Sequence, residues 1–300
     1  MASPADDLID RSAPARGWWR SHRWLALRRI TQLAVLALFL LGPLFGLWVV
    51  KGNLASSVTL DALPLTDPLV LLQSLAAGHR PGRQALLGAA LVTLFYLLAG
   101  GRVYCSWICP LNAVTDAAAW LRERLGIRGG MAPSPNLRYG LLAAALIAAA
   151  MTGAIAWELV NPVSVVFRGL VFGMGLAWAV VAAVFLLDLL LGKRLWCGHL
   201  CPVGAFYGLI GRVSIARVSA SRRERCDDCM DCYAVCPEPR VIGPALKGAS
   251  KGIGPVILAG ECTNCCRCID VCSQDVFRLS TRFHNVAVSA ETAGKREAMS

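Results

Sequence analysis

Eight of the chain's 13 cysteines lie in two runs of identical spacing near the C-terminus. The runs are Cys226-x2-Cys229-x2-Cys232-x3-Cys236-Pro237 and Cys262-x2-Cys265-x2-Cys268-x3-Cys272-Ser273. Bacterial ferredoxins that hold two [4Fe–4S] clusters use this spacing. Three thiolates on one tight loop reach three irons of one cluster, and the fourth cysteine reaches the other cluster. The spacing therefore predicts one-electron chemistry.

Each cluster is thus expected to take three cysteines from one run and one from the other. The predicted ligands of the first cluster are Cys226, Cys229, Cys232 and Cys272, and those of the second are Cys262, Cys265, Cys268 and Cys236. Zinc sites usually separate two C-x2-C pairs by a longer stretch, and disulfides do not suit a reducing cytoplasm. Cys266 has no place in the pattern and is predicted not to be a ligand.

The chain as a whole is too apolar for an ordinary soluble protein of 300 residues. Hydrophobic residues make up 56% of it, and the mean hydropathy is +0.55. Four apolar stretches are long enough to cross a hydrocarbon core of about 30 Å as helices; they run at about 30–50, 84–100, 139–159 and 170–191. The predicted fold is a mainly α integral membrane protein with a small C-terminal two-cluster ferredoxin-like α+β domain.

Composition divides the chain into five predicted segments. These are a basic and aromatic arm (1–29), the four-helix membrane domain (30–191), a cytoplasmic segment with a basic linker (192–225), the cluster domain (226–282) and a mobile tail (283–300).

The cations predict the orientation. All but four of the 30 Lys and Arg residues fall in the arm, in the loop between the second and third helices, or after the fourth helix. Because Lys and Arg favour the cytoplasmic side, both termini and both cluster motifs are predicted to face the cytoplasm of a bacterium, with the chain crossing the inner membrane several times. The net charge of +11 is then a topology signal. No nucleic-acid partner is predicted, since no compact basic domain with a binding motif is present.

A second cysteine pattern occurs twice, 92 residues apart. Residues 102–110 (RVYCSWICP) align with residues 194–202 (RLWCGHLCP). Each copy follows an apolar helix at its cytoplasmic end, so the membrane domain is predicted to consist of two parallel two-helix repeats. Three roles stay open for Cys105, Cys109, Cys197 and Cys201: ligands of a third metal centre, a reversible dithiol, or small buried side chains.

Together with the cysteine motifs, three further segments make the chain resemble the NapH/MauN family of ferredoxin-type membrane proteins. These segments are residues 17–24 (GWWRSHRW), 64–68 (PLTDP) and 161–164 (NPVS). The resemblance covers nearly the whole chain. It implies four membrane helices, two cytoplasmic [4Fe–4S] clusters, and a component of a quinol dehydrogenase rather than an enzyme that turns over alone. It also implies electron transfer from ubiquinol toward a periplasmic nitrate reductase. The implied partners are a periplasmic iron–sulfur subunit of the NapG type, a multihaem membrane cytochrome of the NapC type, and the quinone pool of the lipid bilayer.

Quinol oxidation requires proton acceptors near the membrane surfaces. His199 is the candidate on the cytoplasmic side, and His79 and Glu158 are the candidates on the outer side. An imidazole titrates near neutral pH and can accept a quinol proton. The alternative is that all three are interfacial polar residues with ordinary partners.

A second function stays open. MauN relatives share the motifs, so the chain is also compatible with a maturation or reactivation factor whose clusters deliver electrons to a partner's metal site.

Overall fold

Helices account for most of the structure, which is a computed structural model describing residues 17–127, 129–131, 133–173, 175 and 177–283. The first 16 residues of the predicted arm and residues 284–300 of the predicted tail lie outside the described residues. The chain divides into two compact units. The first comprises residues up to Arg28, Tyr96–Ser106 and Gly208 onward, and the second comprises Arg29–Phe95 and Trp107–Tyr207.

Nine helices precede the cluster motifs in the described part of the chain. They are α1 (Trp18–Phe45), α2 (Pro68–Ala76), α3 (Arg83–Ala99), α4 (Leu111–Arg124), α5 (Leu137–Thr152), α6 (Ala156–Val160), α7 (Pro162–Phe172), α8 (Ala177–Leu186) and α9 (Pro202–Gly211). A π-helical segment, Leu187–Leu191, continues α8. Of the described helices, α1 alone is long and apolar enough to cross a membrane by itself, and α3, α5 and the α8 region are apolar but shorter.

The helices of the structure have nearly the bounds of one predicted segment and differ in their ends from the other three. Helix α3 matches the prediction of 84–100 to within a residue. The first helix begins at Trp18, twelve residues before the predicted start at 30. It ends at Phe45 rather than at 50, shortly after Pro43 and just before Gly46, which has a φ of 73°. The third ends at Thr152 rather than 159 because Gly153 adopts the left-handed conformation (φ 65°) that terminates helices. The fourth begins at 177 rather than 170, since Gly173 (φ 105°) ends α7.

The segment between α1 and α3 is not a simple loop. It forms an antiparallel sheet in the order β1 (Val50–Gly52), β2 (Ser56–Thr59), β3 (Leu63–Thr66), with Val50 opposite Thr59 and Ser56 opposite Thr66. Helix α2 follows directly. This segment therefore has defined structure of its own.

Helices α2 and α7 begin in the same way. Each starts with proline, whose fixed φ suits the first helical position. The preceding residue caps the helix: Asp67 accepts a hydrogen bond from the Leu69 amide at 2.8 Å, and Asn161 accepts one from the Val163 amide at 3.1 Å. The two starts lie 94 residues apart, close to the 92-residue spacing of the cysteine repeat.

The repeated cysteine segments also share their local structure. Tyr104–Ile108 and Trp196–Leu200 are both π-helical turns. Each is followed within two or three residues by a helix, α4 or α9. The sequence repeat is therefore also a repeat in backbone conformation.

The cluster domain contains two strands and three short helices. Strand β4 (Ala216–Ser219) pairs antiparallel with β5 (Arg278–Thr281), with Ala216 opposite Thr281. Between them lie α10 (Asp231–Val235), α11 (Ile242–Lys247) and α12 (Arg267–Val271). A buried core includes Val218, Ile242, Ile257, Val271 and Phe277, and each such side chain stabilises the fold by about 1.5–3 kcal/mol. Strand β4 lies within the predicted linker 192–225, and its partner β5 lies within the predicted cluster domain.

Candidate functional site

The first predicted set of cysteines lies around one cavity. Cys226, Cys229, Cys232 and Cys272 all line a cavity of about 350 Å³, together with Tyr233 and the apolar side chains of Leu246, Val276 and Phe277. Cys229 is exposed, whereas Cys232 and Cys272 are buried. The structure therefore brings the fourth cysteine of the second run to the three cysteines of the first run.

The second predicted set lies around a second cavity of about 360 Å³. Its thiols are Cys236, Cys262, Cys265 and Cys268, and Cys266 also lines it. Cys265 and Cys266 are both buried, as Cys232 and Cys272 are at the first cavity. The two cavities together show the crossed grouping of cysteines on which the sequence prediction depends.

Matching backbone turns position the thiols in both loops. Asp228 and Met230 have φ values of 61° and 64°, and Asn264 and Cys266, which occupy the same places in the second run, have 47° and 58°. The side chains repeat as well. The Cys226 Sγ lies 3.4 Å from Asp228 Oδ1, and the Cys262 Sγ lies 3.5 Å from Asn264 Oδ1. Left-handed residues at these places turn the chain tightly enough for successive thiols to line the same cavity.

Four of the thiols hold their protons more tightly than an ordinary cysteine. Partial desolvation of Cys229 and burial of Cys262 each raise the thiol pKa to about 11, and burial together with the neighbouring cysteines raises that of Cys232 to about 12. Burial also raises the pKa of Cys268 well above its ordinary value. Several thiolates packed this closely repel one another, so positive metal ions are needed to stabilise them.

In the described part of the chain, no three His, Cys, Asp or Glu side chains converge to hold a single metal ion. The four predicted thiols of each set instead lie around the walls of their cavity. Iron–sulfur clusters bind cysteine thiolates in this way, with each thiolate on a different iron. Each donor set therefore fits a multi-iron cluster.

A buried ion pair supports the second cavity. Arg102 donates to Glu238 Oε1 at 2.9 Å and to the Glu261 carbonyl at 3.0 Å. Arg102 and Glu238 are only 2% and 6% exposed. Burial alone would lower the pKa of the Arg102 guanidinium, but the charges of Cys105 and Glu238 raise it, so Arg102 stays charged. Sequence reasoning missed this pair; its only signal is an acid between two prolines, two residues after a predicted ligand.

The segment Tyr96–Ser106 is bonded to the loop that carries Cys265. Ser106 Oγ donates to the Thr263 carbonyl at 2.8 Å, and Asn264 Nδ2 donates to the carbonyls of Ala99 and Ala216 at 3.3 and 2.9 Å. A Cβ added to Gly100 would lie 2.3 Å from Asn264 Nδ2, so glycine is required there. Cys105 lies in this segment, three residues from Arg102.

The four repeated cysteines fall in different units. Cys105 belongs to the first unit, whereas Cys109, Cys197 and Cys201 belong to the second. Cys109 is buried, and the Cys197 thiol lies 3.9 Å from Thr115 Oγ1. Their three candidate roles stay open.

The predicted proton acceptors have different surroundings. His79 is exposed beyond the end of α2, and His199 is half-buried in the second π-helical turn. Glu158, on α6, accepts hydrogen bonds from Ser164 Oγ and, at 3.2 Å, from Asn161 Nδ2. Among the described residues, no hydrogen bond or ion pair joins His79 to Glu158. The structure therefore does not bring the two outer candidates together.

Comparison with known families matches residues 84–128 and 174–220, separately, to a family described as a 4Fe-4S binding domain. Each matched segment contains one Cys-x3-Cys-Pro motif, and neither reaches Cys226. The match therefore concerns the repeated segments, and it establishes an iron–sulfur domain in the chain.

Full-length relatives are also found. The chain is 55% identical over 273 residues to the methylamine utilization ferredoxin-type protein MauN of Methylorubrum extorquens, covering 91% of this chain and 94% of that protein. It is 48% identical over 291 residues to the ferredoxin-type protein NapH of Escherichia coli K12, covering 96% and 100%. It is 49% identical over 267 residues to NapH of Haemophilus influenzae, covering 89% and 93%. No solved structure matches the chain.

Proposed function

The chain belongs to the NapH/MauN family of ferredoxin-type proteins, and we propose that it is a membrane-bound electron-transfer subunit that carries two [4Fe–4S] clusters and accepts electrons from a quinol. The iron–sulfur electron-transfer role follows from the family. The number of clusters, the donor and the membrane topology are the parts proposed.

The crossed grouping of the cysteines carries the proposal. Cys226, Cys229, Cys232 and Cys272 would hold one cluster, and Cys236, Cys262, Cys265 and Cys268 the other. When bound, such clusters supply one-electron donors and acceptors. The protein's part is to hold four thiols around each cavity.

Exposed apolar surface supports the membrane assignment. The helices of the second unit expose large apolar side chains such as Leu33 on α1, Leu94 on α3, Ile147 on α5 and Leu186 on α8. Apolar surface of this extent marks contact with lipid or with partner proteins. We propose that α1, α3, α5 and α8 are the four spans, with both termini in the cytoplasm of a bacterial inner membrane.

The proposed electron path begins at ubiquinol and leads toward a periplasmic nitrate reductase. The similarity to NapH supports a link to nitrate reductase, and the ubiquinol donor and the direction are part of the proposal. The proposed partners are a periplasmic iron–sulfur subunit of the NapG type and a multihaem cytochrome of the NapC type.

A second function is supported by the MauN relative, whose identity of 55% exceeds the 48–49% of the two NapH relatives. In that function the clusters deliver electrons to mature or reactivate the metal site of a partner. Both functions need the same clusters and differ in where the electrons come from and go.

Iron and sulfide quantification with EPR on anaerobically purified full-length protein tests the cluster number. About eight irons per chain would match two clusters. A clear excess would give a cluster role to Cys105, Cys109, Cys197 and Cys201. Zinc in place of iron would overturn the proposal.

Reduction of the clusters by decylubiquinol in reconstituted membranes separates the two functions. Appearance of the reduced-cluster EPR signal is expected for the quinol-dehydrogenase subunit. If dithionite reduces the clusters but neither decylubiquinol nor a menaquinol does, the maturation role is favoured.

A further inference from the structure

The second unit contains a polar cluster where α2, α6, α7 and α9 meet. Asp67 precedes α2, and its Oδ1 accepts hydrogen bonds from the Leu69 amide and, at 3.3 Å, from Tyr207 Oη on α9. Glu158 on α6 lies close enough for its charge to act on Asp67. The predicted topology puts Asp67 on the outer side of the membrane and Tyr207, after the fourth span, on the cytoplasmic side, so their hydrogen bond requires the chain at α2 or α9 to enter the bilayer.

Buried hydrogen-bond donors lie in the same cluster. Gln73 on α2 is 0% exposed, and its Oε1 accepts a hydrogen bond from the Trp157 amide at 3.1 Å. Its Nε2 has no partner among the described residues, and neither has the buried Nε1 of Trp157. Buried donors without acceptors are rare, because each costs about 1–3 kcal/mol. Two of them beside a pair of carboxylates point to a ligand that brings an acceptor oxygen.

Asp67 also keeps one oxygen available. Both described hydrogen bonds to its side chain go to Oδ1, so Oδ2 has no protein donor within the described residues. A cap needs only one oxygen. Asn161 caps α7 in the same way without a charge. Helix capping therefore does not explain why residue 67 is an aspartate.

We propose that Asp67, Gln73 and Glu158 form the site where the headgroup of a hydroquinone binds and gives up its protons, with Asp67 as the first proton acceptor. This inference rests on the proposed quinol oxidation. A hydroquinone hydroxyl donates a hydrogen bond and accepts one. Asp67 Oδ2 accepts from one hydroxyl, and Gln73 Nε2 and Trp157 Nε1 donate to ring oxygen. Trp196, whose ring centroid lies 6.5 Å from that of Trp157 with 21° between the planes, adds an aromatic wall.

Oxidation of one hydroquinone breaks two O–H bonds and yields the quinone, two protons and two electrons. One proton forms an O–H bond on Asp67 and the other forms one on Glu158. The electrons leave singly to one-electron acceptors of the iron–sulfur class.

The titratable groups that face Asp67 give the site a testable pH response. Burial raises the pKa of Asp67 to about 6, the Leu69 and Tyr207 hydrogen bonds oppose this rise, and Glu158 adds to it. A proton acceptor must be ionised, so quinol-dependent cluster reduction should increase as pH rises through about 6. Tyr207→Phe should shift this rise in the reduction rate to higher pH, because it removes a hydrogen bond that lowers the pKa of Asp67. Glu158→Gln should shift the rise to lower pH, because it removes a charge that raises that pKa.

The binding test uses oxidised decylubiquinone and full-length protein in detergent. Gln73→Leu should weaken binding about tenfold, the equivalent of one lost hydrogen bond. Asp61→Asn is the control, because Asp61 lies in the same segment but is exposed and, among the residues that the structure describes, pairs only with Lys51. Equal affinities for wild type and Gln73→Leu would overturn the site.

The kinetic test uses Asp67→Asn, which keeps the helix cap. Its clusters should be reduced by decylubiquinol at least about a hundredfold more slowly than those of wild type, the range for loss of a general base. Their reduction by dithionite should be unchanged. Two results would overturn the assignment of Asp67. One is an equal rate of reduction by decylubiquinol in wild type and Asp67→Asn, and the other is the same pH dependence of that rate in wild type, Tyr207→Phe and Glu158→Gln.

The two proposals fail differently. If decylubiquinol does not reduce the wild-type clusters while decylubiquinone still binds through Gln73, the quinol-dehydrogenase function is wrong and the site stands as a quinone-binding site. If the quinol reduces the wild-type and Asp67→Asn clusters at the same rate, the function stands and this site is wrong.

Discussion

At the scale of single residues, five thiols line the second cavity, but only four are predicted to be ligands. The question is which of the five does not bind iron. Cys265 and Cys266 are neighbours in sequence and are both buried. The matching place in the first loop holds Met230, an exposed residue that is a poor iron ligand. The repeat of backbone conformation therefore assigns Cys266 to packing.

Alanine substitution of these neighbours should have opposite results. Cys265→Ala is expected to lower the iron content from about eight to about four per chain, since one cluster loses a ligand. Cys266→Ala should retain both clusters and cost about 1–2 kcal/mol from the lost buried side chain. Iron analysis and EPR on both purified variants measure this. Iron loss in Cys266→Ala alone would reverse the ligand assignment.

The residue scale is also where sequence reasoning reached furthest. The spacing of the cysteines sorted eight thiols into two sets, because ligand spacing is a short-range property of the chain. It did not find Arg102, Glu238 or Gln73. Their partners are distant in sequence, and only the folded chain brings them together.

At the scale of elements, the Arg102–Glu238 ion pair fixes the segment Tyr96–Ser106 against the loop that follows Cys236. Both side chains are buried, so removal of one leaves the other as an uncompensated charge. By contrast, Lys51 and Asp61 form a surface pair with side chains 48% and 68% exposed. Solvent screening makes such surface pairs weak.

Arg102→Ala should therefore destabilise the cluster domain by about 3–5 kcal/mol. Lys51→Ala should change the stability by no more than about 1 kcal/mol. Loss of cluster absorbance during chemical denaturation measures both variants. The double variant Arg102→Met/Glu238→Leu should recover much of the loss, because it removes both charges. Equal losses of stability in Arg102→Ala and Lys51→Ala would show that the buried ion pair contributes no more to stability than the surface pair.

The elements themselves were only partly predictable. Long apolar runs located α3 well, because its sequence has no internal break. The runs at 139–159 and 170–191 hid glycines 153 and 173, whose left-handed backbone ends α5 and α7. Hydropathy averages over such positions, so it gives a helix the length of the apolar run. The short helices α2 and α7 had a local signal, Asx followed by proline, that hydropathy does not read.

At the scale of the whole molecule, the two units differ in what stabilises them. The second unit is built from apolar helices that pack on one another. The cluster domain has a small core, and Cys226, Cys236, Cys262 and Cys268 pack against it. A domain of this size buries little apolar surface, and metal binding then supplies much of its folding free energy.

Removal of iron should accordingly unfold one part of the chain and spare the other. A strong iron chelator under mild oxidation is expected to make residues 216–282 sensitive to protease, while the helical circular dichroism of the second unit persists. The pH dependence has a definite sign. The metal-free thiols hold their protons, with the pKa of Cys229 and Cys262 raised to about 11, so ligation releases protons and tightens as pH rises. Resistance to the chelator should therefore be greater at pH 8 than at pH 6. Equal resistance at both pH values, or protection of residues 216–282 after complete iron loss, would mean that the cluster domain folds without its metal.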